Sequence, residues 1–160
     1  STSAPLRTLS VSATSDFDPF GSDGSENPDQ ARLASDGDVE TGWRTSTYFG
    51  NSELGGLKPG VGLVFDLGGP REVDSIRVRL AGQPTDVKIY ASMSEAAAAP
   101  TSLKDVHRIA SLNDVLLDGL TNFDNGVLTR YVVVLLTNLP SIGDDSYRGE
   151  IREVSFRGRS

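Results

Sequence analysis

Short stretches of alternating apolar and polar residues, cut apart by glycine and proline, leave this chain few folds to choose from. From Val73 to Leu80, Ile76, Val78 and Leu80 fall on one face and Arg77 and Arg79 on the other. After Gly82-Gln83-Pro84, Val87-Lys88-Ile89-Tyr90-Ala91 does the same. Successive side chains of a strand point to opposite faces, so this period of two marks half-buried strands rather than helices. Leu6–Ala13, Val61–Leu67, Val106–Leu112 and Ile151–Arg157 read as further strands, as does a short Val115–Leu117. Thr129–Leu136 is apolar and β-branched throughout, which predicts a strand buried on both faces. The count comes to roughly eight strands with no long helix, the pattern of an all-β antiparallel β-sandwich of the jelly-roll kind.

A length of 160 residues suits one domain with a full core. That domain is expected over residues 6–160, with Ser1–Pro5 as the remnant of a linker from a larger protein. The net charge of −7 excludes a nucleic-acid partner, which needs a basic surface. The absence of cysteine excludes disulfides, thiolate nucleophiles and thiolate metal sites. No run approaches the roughly 18 apolar residues of a membrane span, and no signal peptide is visible.

The densest chemistry lies in Ala34-Ser35-Asp36-Gly37-Asp38-Val39-Glu40-Thr41-Gly42-Trp43. Asp-Gly-Asp favours a tight turn, because Gly takes positive φ without strain and Asp bonds its own local backbone. Such a turn can gather the oxygens of Asp36, Asp38 and Thr41 on one side, the ligand type that Ca²⁺ prefers. The plainer reading is a polar turn leading to Trp43, the only tryptophan, as a core anchor. The acidic loop Asp16–Pro28 has some of the spacing of a helix-loop-helix calcium site, but Pro19, Phe20 and Asn27 break it. Phe17 and Phe20 are expected to anchor that loop to the core. Tyr48–Pro59 is a long polar, glycine-rich loop, and long ordered loops are often functional.

Arg44, Tyr48, Tyr147 and Arg148, with Asp18 of the acidic loop, form the candidate ligand-facing set. Arg offers a planar fork to carboxylate or phosphate, and Tyr an apolar face with a polar tip. The same groups serve equally well as fasteners of loops. Catalysis finds no support: His107 is the only histidine, and no nucleophile elbow, zinc motif or phosphate loop is present. Asp144-Asp145, beside Gly143 and Ser146, reads as a solvated turn.

The order Ala34, Asp36-Gly37-Asp38, Thr41, Trp43, then Leu63-Val64-Phe65-Asp66-Leu67-Gly68, Val87-Lys88-Ile89-Tyr90-Ala91-Ser92, Arg130-Tyr131-Val132 and Glu153-Val154-Ser155-Phe156 resembles the discoidin, or coagulation-factor type C, family of galactose-binding-like jelly rolls. Phe17-Asp18-Pro19-Phe20-Gly21, Glu26-Asn27-Pro28, Trp43-Arg44-Thr45 and Gly56-Leu57-Lys58-Pro59-Gly60 further resemble the extracytoplasmic domain of actinobacterial MviN-type proteins, relatives of lipid II flippases. The resemblance implies a non-catalytic binding module on the outer face of a cell membrane, carried by a membrane-embedded parent that serves peptidoglycan synthesis. Its implied partners are a glycan or peptidoglycan precursor, or cell-wall and divisome proteins; the alternative is a protein-interaction or structural domain without a small ligand. It also implies a structural Ca²⁺ held by Asp36, Asp38, Thr41 and Glu153 with a carbonyl of Leu33 or Ala34, and Glu150 competes with Glu153 as the last acid. The chain departs from the family in lacking a terminal cysteine pair and in carrying Met93-Ser94-Glu95 and an alanine run after Ser92. The His, Arg and aromatic set of sugar-binding members is also not found.

Overall fold

The computed structural model describes residues 4–22 and 24–160; residues 1–3 of the expected linker lie outside that range. The fold is an all-β antiparallel sandwich. Its strands are β1 (Arg7–Leu9), β2 (Ala13–Phe17), β3 (Trp43–Arg44), β4 (Tyr48–Phe49), β5 (Val61–Ala81), β6 (Thr85–Ser92), β7 (Val106–Val115), β8 (Asp118–Asn138), β9 (Ser141–Gly143), β10 (Ser146–Tyr147) and β11 (Glu150–Arg159). Helical structure among the described residues is confined to short 3-10 turns, of which Pro28–Ala34 buries Ala31 and Ala34.

Two strands run through both layers. The alternation predicts separate strands either side of Gly68-Gly69-Pro70, and again either side of Gly126. Instead β5 and β8 are each continuous over 21 residues. Their mutual pairing slips between Asp66 and Arg71 and again between Val73 and Ser75. An irregularity of this kind bends a strand and strengthens its twist, so each long strand leaves one layer and enters the other. The first layer runs β2, the start of β5, the end of β8, β6 and β7; the second runs β1, β11, the end of β5 and the start of β8. The predicted Leu6–Ala13 strand divides for the same reason. β1 pairs with β11 in one layer and β2 with β5 in the other. Val115 ends β7, while Leu116 and Leu117 form the exposed turn into β8 rather than a strand.

The main core lies between the layers, where Phe65 of β5 meets Phe156 of β11 with ring centroids 5.6 Å apart. Each such side chain contributes about 1.5–3 kcal/mol by leaving water. Trp43 is fully buried in this core, which bears out the anchor reading. β8 fulfils the expectation of a strand covered on both sides. Val132, Val134 and Leu136 face the main core, while Tyr131, Val133 and Leu135 join Phe17 and Val64 in a second cluster on the outer face. Ala96, Leu103 and Val106 pack over that cluster, so the alanine-rich segment serves as its lid. Gly62 is required where β5 crosses β8: a Cβ there would lie 1.9 Å from the Val134 carbonyl oxygen.

Candidate functional site

Three groups of polar residues gather near the ends of the sandwich, and they differ in how far their hydrogen-bonding capacity is already used.

The first is a buried charge network. The Lys58 ammonium donates to Asp18 Oδ1 and Glu26 Oε1, both at 2.9 Å, and all three side chains are largely shielded from water. The Tyr48 hydroxyl donates to both Glu26 oxygens at 2.7 and 3.0 Å, and the Ser46 N–H reaches Glu26 Oε2 at 3.0 Å. The Trp43 indole N–H is satisfied by the Glu26 carbonyl at 2.9 Å. Burial, with the Glu26 carboxylate next to it, pushes the Tyr48 phenol well above its ordinary value. Burial opposes the charge on Lys58, but hydrogen bonds to Asp18, Glu26 and Tyr48 outweigh it and raise its pKa. Two of the predicted ligand-facing residues, Asp18 and Tyr48, are therefore turned inward. They fasten the acidic loop, β4 and the 51–60 segment to one another. The sequence named two members of this network but missed Lys58 and Glu26, its organising charges.

The second group is the corner where β3, β10 and β11 meet. Arg44 sits opposite Glu150 in the pairing of β3 with β11, and its Nε donates to Glu150 Oε1 at 2.9 Å. Arg152 pairs with the other oxygen of Glu150. Half of the Arg44 side chain remains exposed. Tyr147 and Arg148 lie at the same end, half-buried, with Tyr147 packed against the core. Tyr147 stands opposite Tyr48 in the pairing of β10 with β4, as Arg44 stands opposite Glu150 in that of β3 with β11.

Glu150, held between two guanidiniums, is not the acid that faces the Asp-Gly-Asp turn; Glu153 is. Glu153 Oε2 accepts the Gly37 N–H at 3.2 Å, while its Oε1 is buried without a partner. Burial, with Asp36 and Asp38 alongside, pushes the Glu153 carboxyl up to about 7. The turn uses much of its own capacity. Asp36 accepts from the Thr41 hydroxyl at 2.6 Å and the Asp38 N–H at 3.0 Å, and Asp38 from the Glu40 N–H at 2.9 Å. Desolvation opposes the Asp36 charge, but these donors together with Arg32 hold its pKa below the ordinary value. The unpartnered oxygen of Glu153 and the all-oxygen donor set fit a hard cation. Even so, among the described residues no three acidic or histidine side chains converge closely enough to hold a metal by themselves. Hydroxyl and main-chain oxygens would have to complete the set.

The third group lines a polar cleft of about 730 Å³ between the 51–59 loop and the neighbouring ends of β6 and β8. Asp86 and Lys88 enter it from the outward face of β6, Asn113 from β7, and Thr137 and Asn138 from the end of β8. None of these was singled out from the sequence. The available signal was the alternation in β6, which turns Val87 and Ile89 inward and therefore Asp86 and Lys88 outward. The length of the Tyr48–Pro59 loop pointed to the same place from the other side. His107 is exposed on β7, opposite Ala91 of β6.

No protein-family model matches the sequence. Among solved structures, the chain resembles chitosan-binding module 1 of a chitosanase/glucanase from Paenibacillus sp. IK-5, with a TM-score of 0.68 and 14% identity over 96% of this chain and 100% of that one. It also resembles the family 32 carbohydrate-binding module of C. perfringens NanJ, solved with galactose, with a TM-score of 0.60 and 17% identity over 96% and 99% of the two chains. A third, the family 32 module of AlyQ solved with 4,5-unsaturated mannuronic acid, gives a TM-score of 0.61 and 14% identity over 94% and 97%. At these identities the likeness is one of fold, and the fold is that of the galactose-binding-like β-sandwich.

Proposed function

We propose that this domain is a non-catalytic glycan-binding module. The reading rests on the likeness of fold, which runs over nearly the whole chain to modules whose structures were solved with galactose or with 4,5-unsaturated mannuronic acid. The loops and cleft described above supply the polar groups that such binding needs. The family resemblance seen in the sequence supports a finer reading. The module belongs to a membrane-anchored, MviN-type protein of cell-wall synthesis, faces the extracytoplasmic side, and takes a glycan or peptidoglycan precursor. Asp36, Asp38, Thr41 and Glu153 would hold a structural Ca²⁺, which would supply charge neutralisation at the Asp-Gly-Asp turn. Fold likeness alone does not fix function, so the test is direct. Calorimetric titration with a disaccharide muropeptide, tetra-N-acetylchitotetraose and galactose should give saturable heat with at least one of them. No heat from any probe at millimolar concentration would overturn the glycan reading.

A second reading, docking to a cell-wall or divisome protein, draws on Leu116, Leu117, Leu120 and Leu128. All four are about half exposed or more, and all lie in the β7–β8 turn or the first half of β8. Cross-linking in membranes that carry the parent protein would test it.

A further inference from the structure

We propose that the cleft between the 51–59 loop and the ends of β6 and β8 is a subsite for an uncharged, hydroxyl-rich sugar ring. This inference rests on the glycan-binding reading and assigns its place to side chains other than Arg44, Tyr147 and Arg148.

The volume of about 730 Å³ falls within the range of small-ligand sites. Much of its hydrogen-bonding capacity is unspent, as is that of Tyr147, Arg148 and Glu153 Oε1 elsewhere. Among the described residues, the side chains of Lys88, Glu53, Asn113 and Thr137 have no hydrogen-bond or ion-pair partner. Asn138 Oδ1 is buried with no partner, while its Nδ2 donates to Asp86 Oδ2 at 3.4 Å. A buried polar atom left unpaired is costly and uncommon, and this one borders an open cleft. By contrast, Asp18 and Tyr48 are consumed inside the domain, and Arg44 is tied to Glu150.

The walls are fixed in advance. The Leu139 N–H donates to the Ser52 carbonyl at 2.8 Å, joining the loop to the end of β8. The Glu53 N–H closes on Asn51 Oδ1 at 2.7 Å, and the Asp114 N–H on Asp86 Oδ1 at 2.7 Å. A ligand entering such a cleft pays little to order its surroundings.

The lining also selects the ligand class. Donors and acceptors are mixed, which matches hydroxyl groups that both give and accept hydrogen bonds. Lys88 stands against the carboxylates of Glu53 and Asp86, so the cleft offers no net positive field to a phosphate or an acidic polymer. Leu57, 78% exposed, gives one apolar wall of the kind that meets the C–H face of a sugar ring.

The test is shift mapping of the ¹⁵N-labelled chain with galactose and tetra-N-acetylchitotetraose, alongside Lys88→Ala and Asn113→Ala. Saturable shifts are expected at residues 53–58, 86–88, 113 and 137–138. Each substitution should weaken binding by about tenfold, the cost of one hydrogen bond to a ligand, with the melting temperature unchanged. Saturable shifts confined to Arg44, Tyr147 and Arg148 would overturn this subsite and leave the glycan reading intact. Absence of shifts with both sugars, together with no heat from the muropeptide in the calorimetric titration, would overturn both. Unweakened binding by both variants would remove the cleft from consideration even if nearby shifts were seen.

Discussion

Replacing Lys58 by Met removes the cation that lies between two buried carboxylates. The Lys58 ammonium lies 2.9 Å from Asp18 Oδ1 and 2.9 Å from Glu26 Oε1, and the three side chains retain 9%, 1% and 5% of their exposure. Met keeps the length and most of the packing of the lysine stem, so the loss is electrostatic rather than a cavity. Removing one partner of a buried ion pair costs about 3–5 kcal/mol, because an uncompensated charge stays behind; here two are left, which places the expectation at the upper end. Against a typical total stability of about 5–15 kcal/mol, the variant should be near the edge of folding at body temperature. For a chain of this size each kcal/mol moves the midpoint by roughly 2–4 °C, so a fall of about 10–20 °C is expected. Urea denaturation followed by circular dichroism would measure it, with the slope m checked for constancy. Adding Asp18→Asn to Lys58→Met should recover part of the loss, since one of the two stranded charges is then gone. A change below about 1 kcal/mol, or strict additivity in the double variant, would refute the claim that the ammonium holds these loops.

Gly62→Ala should cost several kcal/mol and lower expression, because the new Cβ would meet the Val134 carbonyl oxygen at 1.9 Å and neither backbone can give way; a melting temperature within a few degrees of the native chain would contradict this. Asp66 accepts from Arg130 Nε at 3.0 Å and Nη2 at 3.3 Å. Desolvation opposes its charge, but Arg130 and the Gly68 N–H hold its pKa below the ordinary value. A depressed carboxylate stabilises the fold above its unfolded pKa, and that contribution disappears as pH falls through the folded one. Asp66→Asn should therefore cost about 1 kcal/mol at pH 7 and nothing at the acid end, flattening the pH profile of stability; parallel profiles would count against it. Calcium should raise the melting temperature of the native chain, by an amount equivalent to about 2.7 kcal/mol at a hundredfold excess over Kd, and leave Glu153→Gln unmoved. An equal response in both, or none in either, would remove Glu153 from any metal site.

Fold and site were legible in the sequence to different degrees, and the reason is physical. Strand positions could be read because burial on one face writes a period of two into the chain, as in Ile76, Val78 and Leu80. The passage of β5 and β8 between layers was not legible. Gly68-Gly69-Pro70 has the composition of a turn, and whether such a segment reverses the chain or only bends it is settled by the partner strand, here β8. Arg44, Tyr147 and Arg148 could be singled out as candidates because charge and aromatic content in loops is visible locally. The inward fate of Asp18 and Tyr48 was not, because it depends on Lys58, forty residues from Asp18 in sequence.

That dependence bears on how any loop of this kind should be interpreted. An Asp, a Tyr and a Lys have the same composition whether they face a ligand or one another. What separates the cases is whether the loops' own charges balance internally. At Lys58 a cation meets two carboxylates, and a hydroxyl and a backbone N–H add further donors, so the group has little left to offer a ligand. In the cleft beside it, Lys88, Glu53, Asn113 and Asn138 Oδ1 have no partner among the described residues although the walls are pinned. The two regions share Lys58 itself, whose stem lines the cleft while its ammonium points into the network. The network thus supports the cleft by holding the 51–59 loop in place. A Lys58→Met chain that still folds at low temperature should bind any sugar more weakly than the native chain. A Lys88→Ala chain should bind more weakly without melting any earlier.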